Sequence, residues 1–355
     1  MKIEQIETTV LEMPYKKPLV TATNNFTVAS GLLVKVITDD GVEGYGYSDL
    51  FPRTGETPET ARHVIEAVLK SKVVGRELEE LRRIRADTDH VLTGHPRAKG
   101  ALETALYDAL ARSFHAPLYV LLGGRYRKEI KVIKMVSVDT PETMAEEAKQ
   151  LVRDGLSLKL KVSGRIDKDL PRVAAVRKAV GDAVFIKVDA NEAYDAKTAI
   201  HLAQGLADHG VEIFEQPVPR DQLDALWEVK KHSPVKIEAD QSARSFADVH
   251  VMIKNRMVDS INTGIAKVGS IGEVKKIAEL CELNGIRCAL SNTAGSMVGD
   301  AAAVHLAAST PGIAGLCELG EFEVITGDPF FGVSVEKGAI SVPEGEGLGV
   351  SLKGF

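Results

Sequence analysis

The stretch "SLKLKV", residues 157–162, places two lysines two apart in an otherwise apolar run. Side chains alternate faces along a strand, so Lys159 and Lys161 share one face while Leu158, Leu160 and Val162 share the other. Working outward from it, short apolar runs recur: "IKVIKMVSV" before it, then "AVFIKVDAN", "VEIFEQP", "PVKIEADQS", "DSINTGIAK", "IRCALSN" and "IAGLCELGE". Helical patterns such as "AKTAIHLAQGLADHG" and "GSIGEVKKIAELCELNG" fill the gaps. From Lys161 to the polar residues closing the next six strands, Asp189, Glu215, Asp240, Lys267, Asn292 and Glu318, the steps are 28, 26, 25, 27, 25 and 26 residues. Eight strands alternating with helices at this period predict an α/β fold of the TIM-barrel type. An open doubly wound sheet shows the same local alternation. The count of eight, and a polar residue at the carboxyl end of nearly every strand, decide for the barrel, because barrel enzymes keep their active sites on that face.

The first part of the chain follows another regime. "KIEQIETTVLEM" and "GLLVKVITDDGVEGYGYSD" read as strands, the second run turning at Asp39-Asp40-Gly41. Helical patterns follow, among them a stretch where Leu102, Ala105, Leu106, Ala109 and Leu110 keep a period near 3.6 residues. Strands first and helices after predict an α+β capping domain over 1–125, completed by the segment 325–355, with the barrel over 126–324.

The strand ends assemble a site. Lys159 and Lys161 come from the second barrel strand, Asp189 from the third, Glu215 from the fourth, Asp240 from the fifth and Lys267 from the end of the sixth. Three carboxylates converging at a barrel mouth repel one another strongly at low dielectric. A hard divalent cation resolves the conflict, and oxygen donors without His or Cys select Mg²⁺ or Mn²⁺ over zinc. The lysines then flank a substrate carbon from opposite sides. Like charge, the metal and desolvation are expected to lower their pKa towards that of a general base. The metal would stabilise the enediolate formed when a proton leaves the carbon next to a carboxylate. A Lys-x-Lys or a single strand-end acid is by itself commonplace, a solvated edge or a helix cap; the joint order and spacing are what carry weight.

This Lys-x-Lys, Asp/Glu/Asp and distal lysine pattern resembles the enolase superfamily, in its muconate lactonizing enzyme subgroup, over nearly the whole chain. The resemblance implies a modified, enolase-like barrel, with Asp189, Glu215 and Asp240 as metal ligands and Lys161 and Lys267 as an opposed acid/base pair. It also implies that Lys159 is an auxiliary lysine and that Asn191 and Glu238 support the ligands. The mandelate racemase branch carries a His at the end of the seventh strand; "ALSNTAG" has Asn292 there, which excludes that branch. Within the subgroup one machinery serves racemisation or epimerisation, cycloisomerisation and β-elimination. The expected function is racemisation or epimerisation of an amino-acid derivative by α-proton abstraction. A muconate-type cycloisomerase and a hydroxy-acid or hydroxyproline-type dehydratase are alternatives within that chemistry, and a non-catalytic ligand-binding barrel is an alternative outside it. Retention of three lysines beside three acids argues against the last.

Specificity is expected from loops and later strand ends: residues 14–26 with Lys16 and Lys17, residues 50–58 with Arg53, and Asn292, Ser296, Met297 and Glu318. Dipeptide epimerases of the subgroup carry an Asp-x-Asp after the last strand to grip an ammonium group. This chain has Glu318-Leu319-Gly320 instead. Glu318 then either binds a cationic nitrogen or is structural.

The net charge of −6 includes no basic stripe to neutralise phosphates, so a small carboxylate is the expected partner and nucleic acid is not. No apolar run approaches the length of a membrane span, and "MKIEQIETTV" alternates like a strand, unlike a leader; a cytoplasmic protein is expected. Cys281, Cys288 and Cys317 lack zinc spacing and suit reduced, partly buried thiols. The resemblance implies a homo-oligomer, a dimer or an octamer.

Overall fold

The computed structural model describes residues 1–22 and 24–353. Thr23, inside the expected 14–26 loop, and residues 354–355 of the expected terminal segment lie outside the described residues.

Near the amino terminus β1 (Ile3–Val20), β2 (Asn25–Thr38) and β3 (Glu43–Asp49) form an antiparallel sheet in that order. Residues 14–20, expected to be loop, are strand. After a register shift between Pro14 and Leu19, the pairing resumes at Leu19↔Phe26 and carries the ribbon onward. Alternation puts Leu32, Val34 and Val36 on the buried face, and a register shift between Ile3 and Gln5 lets Ile3 join Ile6 there. The period-3.6 stripe of Leu102, Ala105, Leu106 and Ala109, on the helix Pro96–Ser113, shares their core.

The second unit is the barrel. Its strands are β4 (Glu129–Val136), β5 (Ser157–Lys161), β6 (Ile186–Asp189), β7 (Ile213–Glu215), β8 (Lys236–Ala239), β9 (Ser260–Thr263), β10 (Arg287–Leu290) and β11 (Leu316–Cys317). Consecutive strands from β4 to β10 pair in parallel, and β11 pairs with β4. The seam between β10 and β11 closes through Glu318 N–H donating to Leu290 C=O (2.8 Å) and Asn292 N–H to Glu318 C=O (3.0 Å). Leu158, Leu160, Val162, Ile186 and Val188 are buried in the core beneath the helices, as the alternation at residues 157–162 requires. Each such side chain contributes about 1.5–3 kcal/mol on burial.

Residues 325–353 touch both units. Ala339–Ser341 pair antiparallel with the start of β4. On the other side, Phe330 packs edge-on to Tyr45, and Leu348 N–H donates to buried Asp108 on the helix Pro96–Ser113 (2.7 Å). Among the described residues no helix is long and apolar enough to cross a membrane.

Candidate active site

The parallel register levels the strand-end residues. Lys161 stands opposite Asp189 and Asp189 opposite Glu215, while Asp240 follows β8 directly. Lys161 donates to Asp189 Oδ2 (2.5 Å) and Asn191 Oδ1 (2.9 Å). Asn191 in turn holds Asp189 through its backbone N–H (2.8 Å) and Nδ2 (3.1 Å), as a residue supporting that carboxylate should. The Lys159 ammonium lies 2.9 Å from Asp189, 3.0 Å from Glu215 Oε2 and 2.6 Å from Glu318.

On the facing side Lys267 pairs with Asp240 and donates to Asn262 C=O (3.0 Å). It is not on the sixth strand. β9 ends at Thr263, and Lys267 sits on the single helical turn Ile265–Val268 that follows. β5 and β9 are four strands apart in an eight-strand barrel, so Lys161 and Lys267 approach from opposite walls. Both border one cavity of about 440 Å³, which Asp189, Asn191, Asp240 and Asn292 also line.

Below the mouth lies a charged layer that the sequence reading missed in part. Lys187, fully buried on β6, pairs with Glu238 and Glu318 and lies 2.9 Å from Glu215 Oε2. Glu238 therefore supports Glu215 through Lys187 and does not touch Asp189, Glu215 or Asp240 in any hydrogen bond; it also accepts from Arg287 (3.0 Å) and Ser260. Among the described residues, converging acidic oxygens occur at Glu215, Glu238 and Glu318, a cluster whose charge the Lys187 ammonium meets. Lys187 was legible: it precedes Asp189 by two, the spacing that pairs Lys159 with Lys161.

Glu318 borders the cavity, but its oxygens are engaged by Lys159, Lys187 and Asn262 Nδ2 (3.0 Å), which places it in this layer and not in a free ammonium-binding position. Asn292 borders the cavity and donates to buried Asp300 (3.2 Å), whose carboxyl is pushed up to about 7 chiefly by burial. Ser296 is turned away from the cavity. Its hydroxyl caps the helix Met297–Ser309 at Val298 N–H (3.3 Å) and donates to Asp328 (3.0 Å). Lys16 and Lys17 are exposed and border no part of the cavity, whereas Arg53 borders it and pairs with Glu192 (2.6 Å). Leu19, Phe26, Phe51, Ile133 and Met135 supply an apolar lining, the first three from the amino-terminal unit.

Burial disfavours charge on all these groups, and their neighbours decide the outcome. Burial opposes ionisation of Asp189, yet Lys159 and Lys161 hold it well below the usual carboxylate range. Glu215 goes the other way, pushed up by burial first and then by Asp189 and Glu318. Lys159 departs from expectation. Burial does lower it, but Asp189, Glu215, Glu318 and Asp240 outweigh burial and raise it well above the usual lysine range. Carboxylate proximity, not like charge, is the dominant neighbour effect there.

In donor type the expected set would suit a hard divalent cation, since Asp189, Glu215 and Asp240 all offer carboxylate oxygens from adjacent strand ends. Glu215 Oε2, fully buried, is within ion-pair distance of two lysines but aligned for a hydrogen bond with neither. A metal ion makes no such angular demand on a hydrogen.

Two family models match the chain: an N-terminal domain of mandelate racemase / muconate lactonizing enzyme over residues 5–123, and an enolase C-terminal domain-like model over residues 143–354. The chain belongs to the enolase superfamily, in its mandelate racemase/muconate lactonizing enzyme family. Within that family it is 33% identical to the L-Ala-D/L-Glu epimerase of Bacillus subtilis over 359 aligned residues, covering 99% of this chain and 97% of the relative. It is 32% identical to muconate cycloisomerase 1 of Rhodococcus opacus over 364, covering 99% and 96%. The crystal structure of a dipeptide epimerase from Enterococcus faecalis V583, complexed with Mg and the dipeptide L-Leu-L-Tyr, superposes with a TM-score of 0.94 at 33% identity, covering 99% of this chain and 100% of that one. These family members are isomerases, and this chain is an enzyme of that class.

Proposed function

We propose that the enzyme abstracts the proton α to the carboxylate of an amino-acid derivative and returns one to the opposite face, as a racemase or epimerase. The observation that carries this reading is the pair of lysines on opposing walls of one cavity, since inversion needs a base on one face and an acid on the other. Asp189, Glu215 and Asp240 would hold Mg²⁺ or Mn²⁺. When bound, such an ion supplies positive charge beside the substrate carboxylate and offsets the negative charge that develops as the α-proton leaves.

The remaining roles belong to the chain. Lys161, oriented by Asn191, faces the substrate carbon from β5, and Lys267 faces it from the turn after β9. A base must first be neutral. Lys159, Lys161, Lys187, Lys267 and Arg287 offset Asp189, Glu215, Glu238, Asp240 and Glu318 one for one, so any net positive charge brought into the site favours loss of a proton from a lysine. Lys159 and Lys187, held by two or more carboxylates each, are the groups least able to give one up. Phe26 and Phe51 line the cavity and would shield a bound substrate from water.

The test is α-proton exchange in D₂O, followed by NMR, with dipeptides, N-acylated amino acids and N-succinylated amino acids as candidate substrates. Exchange from both enantiomers, abolished by chelation and restored by Mg²⁺, is the expected result. Lactone formation from a muconate without exchange at an amino-acid α-carbon would replace this reading with the cycloisomerase one.

A further inference from the structure

Lys161 is built into the barrel, whereas Lys267 stands on a turn that the amino-terminal unit grips from outside. The grip is specific. Glu103, buried on the helix Pro96–Ser113, accepts from the Ser270 hydroxyl through Oε1 (3.0 Å) and from Ile271 N–H through Oε2 (2.8 Å). Ser270 and Ile271 open the barrel helix Ile271–Leu283, and Ser270 is only three residues beyond Lys267. One residue earlier, Gly269 C=O accepts from the Arg85 guanidinium, which comes from the helix Leu81–Val91 of the same unit.

The two backbones also touch. Gly269 has φ +78°, and a Cβ there would lie 2.7 Å from Pro96 Cα. A Cβ on Gly100 would lie 3.0 Å from Ile265 C=O, the carbonyl that accepts from Gly269 N–H (2.7 Å) to close the Lys267 turn. The turn thus has no slack on its outer side. Its four residues are too few to hold a shape alone, because a helical turn fixes several dihedrals for one hydrogen bond.

We infer that Glu103, which does not border the cavity, is the positioning residue for Lys267, so that the amino-terminal unit sets the efficiency of proton transfer on one stereochemical face of the substrate and not on the other. This inference rests on the proposed function for its catalytic consequence, but its structural part can be read independently. Glu103 touches no group that borders the substrate carbon. It acts by fixing where the Ile265–Val268 turn sits, and through that the reach of the Lys267 ammonium. Removing it leaves Ser270 and Ile271 without their buried acceptor and frees the turn to shift. Lys161 is held by the sheet instead: β5 pairs with β4 up to Leu160 and with β6 at Lys161 itself, and the contact the amino-terminal unit makes at its clasp, Arg53 to Asn191 C=O, is long (3.5 Å).

The experiment uses the full chain with Glu103→Ala, the milder Glu103→Gln, which keeps the shape and one acceptor oxygen, and Gly100→Ala, which presses on Ile265 without altering charge. Lys161→Ala and Lys267→Ala first identify which enantiomer depends on which lysine. Glu103→Ala should then slow exchange of the Lys267-dependent enantiomer on the order of tenfold or more, in kcat and not in KM, and leave the other within about threefold. Glu103→Gln and Gly100→Ala should give the same asymmetry at smaller size. Equal loss on both faces, or no loss on either, would overturn the inference. Hydrogen–deuterium exchange by mass spectrometry gives the independent arm. Peptides over 264–271 should exchange faster in Glu103→Ala while those over 157–165 stay unchanged, and unaltered protection at 264–271 would also overturn it. Should the wild-type enzyme exchange no α-proton of any carboxylate, the proposed function fails, and the deuterium arm alone decides the place of Glu103.

Discussion

Lys161 and Lys267 reach one cavity on supports of different kinds. Lys161 is the last residue of β5, with a parallel ladder on either side and an Asn191–Asp189 clasp around its ammonium. Its position is fixed many times over. Lys267 leaves the sheet after Thr263, rides on four residues of helix, and is steadied from behind by Glu103 and Arg85. A two-sided reaction therefore has one face held mainly by strand ladders and another by the contact between the two units. A perturbation at that contact becomes legible as a stereochemical bias, a more specific signature than loss of rate.

The sharpest way to break this contrast is at the lysines. Lys161→Ala and Lys267→Ala should each suppress exchange from one enantiomer by about a thousandfold or more, the loss of a general base that no neighbour replaces, with opposite enantiomers affected. NMR exchange rates for the two enantiomers check it. Loss from the same enantiomer in both variants would mean that the walls do not act on opposite faces.

Next in size is the support under the barrel wall. Lys187→Met removes the buried cation shared by Glu215, Glu238 and Glu318 and should cost about 3–5 kcal/mol in urea unfolding, because it leaves carboxylates without their partner. A near-neutral result would show that the layer readjusts by proton uptake, Glu215 being the carboxyl already pushed upward.

The smallest effect concerns the other wall. Burial raises Glu103 to about 7, with Arg85 opposing and Asp89 reinforcing the rise. A carboxyl whose folded pKa exceeds its unfolded value contributes stability that is present below about 4.5 and lost as pH rises through 7. At 1.36 kcal/mol per unit, the wild type should lose roughly 3 kcal/mol relative to Glu103→Gln between about pH 4.5 and pH 8. Paired unfolding curves across that range test it; a constant difference would mean that Glu103 keeps one protonation state throughout.

What the sequence disclosed follows the same divide. The eight-strand beat, and the carboxylates and lysines of β5 to β8, were legible because strand alternation links position directly to direction. Lys267 borders the same cavity as Lys161 but from a different element than its spacing predicts, since "INTGIAK" continues an apolar run and nothing local marks the end of β9 at Thr263. Lys187 obeyed the alternation and was passed over because a lysine in an apolar run suggests a solvated edge. Ser296 was taken for a cavity residue because it lies beside Asn292 in sequence. Its hydroxyl answers instead to a helix terminus and to Asp328, a partner 32 residues away. Glu103 gave no signal, because its partners lie 167 and 168 residues further along the chain.

The stretch from Phe330 to Leu348 has a consequence for biogenesis. Ala339–Ser341 finish the flank of β4, and Leu348 shuts over Asp108 on the far unit. A ribosome has therefore made both lysines, and all three carboxylates, well before it delivers the strap that fastens one lobe to the other. Until then a nascent polypeptide holds the ingredients of catalysis without this second tie between its lobes, beyond the one at Glu103. A nick near Glu336 would therefore reach back to chemistry at Lys161, encoded 175 codons earlier.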